Sequence, residues 1–290
     1  PDSVLSVAFS KDGEYLVTGS WDGVARLWNL AGEQLAELLG HDKPIWDAVF
    51  SPDGQTIATG SVDREIRLWD LEGNVKSSFI GHQGEIRSVA FSSDGLFLLS
   101  ASLDSTVNLW RLSEDANGTP TLVKVFRGPT QSGFIDANFS PDGQLIVAGG
   151  FDNLARVWSV DGELVATLEG HAAEVRSVSF SADGKTIVTA SGDGQVKLWQ
   201  LDGTLIATLA ENGEPVWQAL FVDGDQKVIS AGEDRKVLRW QLNTMLDRQG
   251  LFNASCSWSA DYLAHSPNTE DQRLLCDDTP SAEVSESAAK

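Results

Sequence analysis

The sequence predicts an all-β chain built from small four-stranded antiparallel sheets, repeated six times and arranged radially. Three in-phase series predict it. Tryptophans stand at Trp28, Trp69, Trp110, Trp158, Trp199 and Trp240, in steps of 41, 41, 48, 41 and 41 residues. Phenylalanines at Phe9, Phe50, Phe91, Phe139, Phe180 and Phe221 keep the same steps. An aspartate sits six residues before each of those tryptophans, at Asp22, Asp63, Asp104, Asp152, Asp193 and Asp234. Series that stay in register from Phe9 to Trp240 mark a repeated structural unit, not chance.

Within each repeat the elements follow in order. The first strand alternates apolar and polar positions, as at Val4, Val7 and Phe9, and leads to an Asp-Gly turn such as Ser51-Pro52-Asp53-Gly54 or Ser140-Pro141-Asp142-Gly143. A short second strand follows, for example Thr56-Ile57-Ala58-Thr59. A tight turn around the repeating aspartate gives a third strand ending in Leu-Trp or Val-Trp. A variable fourth strand comes after a glycine turn, as in Glu163 to Leu168. Four strands in about 41 residues leave no room for a helix, and a sheet this small must bury its faces against its neighbours.

These residues closely resemble the WD40 repeat family over about 1–243. Gly-His pairs open three repeats, at Gly40-His41, Gly81-His82 and Gly170-His171, and the Asp…Trp ending is present in all six. The resemblance implies a β-propeller. It also implies that a His, a Ser or Thr, the Asp and the Trp tie the strands of a blade together. The full set would be His41, Ser61, Asp63 and Trp69 in the second repeat. The third supplies His82, Ser102, Asp104 and Trp110, and the fifth His171, Ser191, Asp193 and Trp199. The fourth repeat departs, with Thr130 and Gly150, and so does the sixth, with Asn212 and Gly232, so these two blades are expected to be the less rigid. Seven blades are the family's commonest number. The first repeat begins just after the place for its Gly-His, and only Leu246 to Phe252 offers a weak closing strand. The expectation is therefore that residues precede this chain and complete a seven-bladed or larger array.

The recurrence of Ser, His and Asp argues against catalysis as much as for it. A nucleophilic triad is needed once, whereas three copies at fixed spacing read as scaffolding. No HExxH, phosphate-binding loop or CxxC pair appears, and no metal or cofactor is expected. With 42 acidic and 21 basic residues, a formal charge of −21, the chain lacks the basic field of a nucleic-acid binder and is disfavoured at an anionic membrane. No run reaches the length of a membrane span, and the opening residues have neither the basic leader nor the apolar stretch of a signal peptide. Two cysteines, Cys256 and Cys276, do not make a disulfide framework, so the expected setting is the cytoplasm.

Residues 244–290 change character. Trp258, Tyr262 and Leu263 lie near helical spacing, and Thr269 with Gln272 reads as a capping box, so short helices are expected to about 278 and disorder beyond. The segment around Cys256-Ser257-Trp258, Asp261-Tyr262-Leu263 and Leu275-Cys276-Asp277-Asp278 resembles the C-terminal tails of large bacterial WD40 proteins. Such proteins carry NTPase, kinase or protease-like domains upstream, which the resemblance implies as partners in the same chain.

Two positions in each repeat should project onto one face, here called the upper face, near the central channel. They are the residue before the repeating aspartate and one early in the first strand, and the family uses them for ligand contact. The first set is Trp21, Val62, Leu103, Phe151, Gly192 and Glu233; the second is Leu5, Trp46, Arg87, Ile135, Arg176 and Trp217. Trp21, Trp46, Arg87, Leu103, Ile135, Phe151, Arg176 and Trp217 are the candidate partner-binding residues. Tryptophan and arginine dominate binding hot spots, and clustered exposed aromatics mark interaction sites. Arg87 and Arg176 could offer bidentate contacts to a carboxylate or phosphate; in the bland reading they pair with Glu85 and Glu174. The expectation is a non-catalytic scaffold or ligand-sensing module for a protein or peptide. The alternative is an enzyme at the channel, which would need carboxylates, His or Tyr converging there with shifted pKa values.

Overall fold

A computed structural model describes residues 2–113, 118–129, 131–211 and 213–242, the side chains of 210 and 211 excepted. The repeats fold as the in-phase series require. The first blade is β1 (Val4–Phe9), β2 (Tyr15–Ser20), β3 (Ala25–Asn29) and β4 (Gln34–Leu38). The second is β5 (Ile45–Phe50), β6 (Ile57–Ser61), β7 (Glu65–Trp69) and β8 (Val75–Ile80). The third is β9 (Ile86–Phe91), β10 (Phe97–Ser102), β11 (Thr106–Arg111) and β12 (Thr121–Arg127). The fourth is β13 (Phe134–Phe139), β14 (Leu145–Gly150), β15 (Ala155–Ser159) and β16 (Leu164–Leu168). The fifth is β17 (Val175–Phe180), β18 (Thr186–Ser191), β19 (Gln195–Gln200) and β20 (Leu205–Glu211). The sixth is β21 (Val216–Val222), β22 (Lys227–Gly232) and β23 (Val237–Gln241), three strands among the described residues. Every sheet is an antiparallel meander in sequence order, and the first strands pack side by side in succession from the first blade to the sixth. This is a six-bladed all-β propeller with the first strands around the axis.

The core lies between blades, not within them. Trp69 packs with Ile45, Ala48 and Ile57 of its own blade against Val17, Ala25, Leu27 and Leu38 of the first. Trp110 does the same against Ala58, Ile66, Leu68 and Phe79, and Trp199 against Val147, Ala155, Val157 and Leu168. In the second to fifth blades the repeating tryptophan is thus the anchor on the preceding blade, which explains why it keeps step so strictly. The Gly of Gly-His has the same cause: a Cβ on Gly81 would stand 2.3 Å from the Trp110 ring. On the face away from the channel mouth, Ser51 Oγ donates to Asp53 Oδ1 at 2.5 Å and accepts from the Thr56 amide at 2.9 Å, closing the first turn. Ser10, Ser92, Ser140 and Ser181 repeat that geometry.

The described residues up to Trp240 form one compact unit. The expected tail helices, Cys256, Cys276, the Leu246–Phe252 strand, Thr130 and Asn212 lie outside the described residues. No helix among the described residues is long and apolar enough to cross a membrane.

Candidate functional site at the channel mouth

The positions that project from the upper face do so for a backbone reason. In every blade the pairing of first and second strands skips one residue. Ile45 pairs with Ser61 and Asp47 with Gly60, leaving Trp46 unpaired, and the same slip leaves out Leu5, Arg87, Ile135, Arg176 and Trp217. A bulge residue leaves the ladder, and its side chain is re-aimed out of the sheet. The residue before each aspartate is pinned next to it. The amides of Trp21, Val62, Leu103, Phe151, Gly192 and Glu233 donate to the carbonyls of Ser3, Pro44, Glu85, Gly133, Glu174 and Pro215, at 2.8–3.0 Å.

All six bulge residues, with Phe151, line one cavity of about 700 Å³ at the channel mouth. Phe151 and Trp217 are about half exposed. Trp21 is outside the cavity lining but meets the Trp46 ring edge-on, with centroids 5.8 Å apart. Leu103 also stays outside it, packed beside Gly133 at the joint of the third and fourth blades.

The two arginines are partnered differently. Arg176 lies over Trp217, its Cζ 3.9 Å from the ring centroid. It donates from Nε to Glu174 at 2.8 Å and from Nη1 to Glu233 at 3.1 Å. Arg87 lies over Trp46 at 3.5 Å, while Glu85 accepts the Trp46 indole N–H at 3.2 Å. Desolvation holds Arg87 below the usual guanidinium pKa; Glu85 opposes this and the nearby charge of Arg176 adds to it.

Below the rim, a second series was not foreseen from the sequence. The residue after the bulge reaches across to the next blade's backbone. Val89 N–H donates to Asp47 Oδ2 at 2.9 Å, Ala137 N–H to Ser88 Oγ at 3.0 Å, Val178 N–H to Asp136 Oδ2 at 2.9 Å, and Ala219 N–H to Ser177 Oγ at 3.4 Å. Burial pushes Asp47 up to about 7, with backbone donors opposing and Asp136 adding; burial likewise pushes Asp136 up to about 6. The signal was present in the alternation Asp47, Ser88, Asp136, Ser177, but small polar residues on a channel strand have many readings.

The blade networks need one correction. His41 Nδ1 donates to Asp63 Oδ2 at 2.6 Å, but the hydroxyl between His41 Nε2 (2.8 Å) and Trp69 Nε1 (2.9 Å) belongs to Thr59, not Ser61. Ser100 and Thr189 take that role in place of Ser102 and Ser191, between His82 and Trp110 and between His171 and Trp199. Ser61, Ser102 and Ser191 instead accept the amides of Asp63, Asp104 and Asp193 in the turn. The physical reason is position along the strand: residues two apart share a face, but Ser61, Ser102 and Ser191 are the last residues of their strands and cap the turns that follow. Burial holds His171 below its usual pKa despite Asp193, which fits a neutral ring accepting the Thr189 hydroxyl proton. In the fourth blade Arg156, buried, pairs with Asp152 at 2.5 Å. His41, Asp63 and Glu65 bring possible metal ligands within 4.8 Å of one another. Here His41 and Asp63 bond each other, and Glu65 holds Arg67 at 2.7 Å.

The chain matches the family model described as WD domain, G-beta repeat at residues 1–29, 32–70, 73–111, 120–159 and 162–200. It is 45% identical over 60 residues to the Denticleless protein homologs A and B of Xenopus laevis. That alignment covers 20% of this chain and 8% of either relative's length.

Proposed function

The chain belongs to the WD40-repeat β-propeller family, whose members typically serve as protein-interaction scaffolds, and from that premise we propose that its upper face binds a protein or peptide segment. The observation that carries this reading is the row of bulges. Six separate backbone slips aim two tryptophans, two arginines and two aliphatic residues at one cavity mouth. Tryptophan on a solvated rim leaves a large apolar area wet, and capture of a partner removes that cost. The acidic surface favours a partner with basic flanks. Where the propeller forms part of a longer chain, occupancy of this face is the signal it would pass to an NTPase, kinase or protease-like domain upstream.

A channel enzyme needs free acids or bases there. Asp47 and Asp136 do line the cavity with raised pKa values. Their oxygens, however, accept backbone amides from neighbouring blades, and the described lining includes no His, Tyr, Lys or Cys beside them. The pair supports a joint better than a reaction centre.

The test is affinity capture from source-cell lysate with the parent chain and a Trp46→Ala, Arg87→Ala, Trp217→Ala variant of equal thermal stability. A protein held by the parent and lost by the variant is the expected result. Equal capture would move the site to the blade edges or the opposite face.

A further inference from the structure

The upper face holds two segments spelled alike, Glu85-Ile86-Arg87 in the third blade and Glu174-Val175-Arg176 in the fifth, each beside a tryptophan of an adjoining blade. Only one of the two arginines is neutralised. Arg176 spends its donors on Glu174 and Glu233. Trp46 intercepts Glu85, and among the described residues Arg87 makes no hydrogen bond and no ion pair. Its guanidinium lies against the Trp46 ring, so the ring supports one face of the plane while the N–H groups point outward in that plane. The donors of this half-buried cation face the open cavity mouth, so a ligand can take them up without breaking a protein contact.

We propose that Arg87 is the receptor for a single carboxylate, carried by the acidic side chain or the chain terminus of a bound peptide. The carboxylate would be taken bidentately at the guanidinium edge, with Ile135 and Phe151 receiving its apolar neighbours. This rests on the upper-face reading and narrows it. A dianionic phosphate fits less well: one cation is free, the second already holds two carboxylates, and Asp47 and Asp136 form the floor of the same cavity. The geometry of a planar fork with one open edge matches a planar monoanion.

The experiment is a titration of the full ¹⁵N-labelled chain, read at the arginine Nε–Hε signals, with Arg87 assigned by its loss in Arg87→Lys. Four probes are added at constant ionic strength: N-acetylglutamate methylamide, N-acetylglutamine methylamide, N-acetylleucine and N-acetylphosphoserine methylamide. The expected result is a saturable Arg87 shift with a carboxylate probe, at least tenfold tighter than with the glutamine probe, and a static Arg176. Whichever of the glutamate and leucine probes binds tighter tells side chain from chain terminus. Equal response to glutamate and glutamine, no response at Arg87, or tenfold tighter binding of phosphoserine would each overturn the proposal. No natural partner is involved, so such a result would leave partner capture by the tryptophan rim to stand or fall separately.

Discussion

The joint between the second and third blades and the joint between the fifth and sixth use the same parts in different states of completion. Each has a bulge tryptophan, a bulge arginine stacked on it, and a post-bulge side chain reaching the next blade's amide. At the first joint the arginine is unpaired and the reaching side chain is a buried carboxylate at 2.9 Å. At the second joint the arginine holds two carboxylates, and the reaching side chain is Ser177 at 3.4 Å. One joint pairs its rim charge with its own carboxylates, and the other leaves its rim cation open above a buried carboxyl held by backbone amides. Identical architecture can thus yield a finished structural seam and a receptive one.

The pH response should break this likeness most strongly. Asp47 is raised by burial from 3.8 to about 7. The stability gained by holding its proton is complete below the unfolded value and is lost as pH climbs through about 7. Asp47→Asn should therefore shrink the fall in unfolding free energy between pH 5 and 8 by on the order of a few kcal/mol. Denaturant titrations across that range would show it, and an unchanged slope would mean the carboxylate is ionised without penalty. Ser177→Ala should leave the slope alone.

The blade networks give the next effect. Thr59→Val leaves the buried His41 Nε2 and Trp69 N–H without their shared hydroxyl and should cost about 2–3 kcal/mol. Ser230→Ala in the sixth blade, whose bond to Trp240 is 3.4 Å long, should cost well under half of that. Chemical denaturation of the two variants side by side decides the matter; equal losses would show that the histidine adds nothing. Binding comes third. Trp46→Ala should weaken a captured partner by about 2 kcal/mol, roughly 30-fold, because it removes both an anchor and the platform under Arg87. Trp217→Ala should cost less, since Arg176 stays clamped. The smallest change sharpens the comparison by making the joints alike. Glu174→Gln with Glu233→Gln frees Arg176 and should tighten phosphoserine probe binding about tenfold, roughly 1.4 kcal/mol, measured by the same arginine signals.

The propeller was legible because Trp, Phe and Asp each answer to a geometric demand that recurs in every blade. The rim positions were legible by counting from the aspartate. Which arginine is free was not, because Glu85 and Glu174 stand at the same spacing, and the difference arises from a tryptophan 39 residues away in sequence reaching Glu85 first. Thr59 was passed over for Ser61 since both carry hydroxyls, and only the strand's end separates a bridge between strands of one blade from a turn cap. Arg156 in place of a histidine partner for Asp152 is a replacement of one donor by another.

The post-bulge contacts have a consequence for the ancestry of such chains. Each is donated by a main-chain amide, a group that almost any residue supplies, and accepted by a side chain of the preceding repeat. The seam is indifferent to the identity of the residue that donates it. A gene that duplicates a repeat carrying such an acceptor would therefore inherit a working joint to the blade that follows, leaving the bulge residue above it free to diversify.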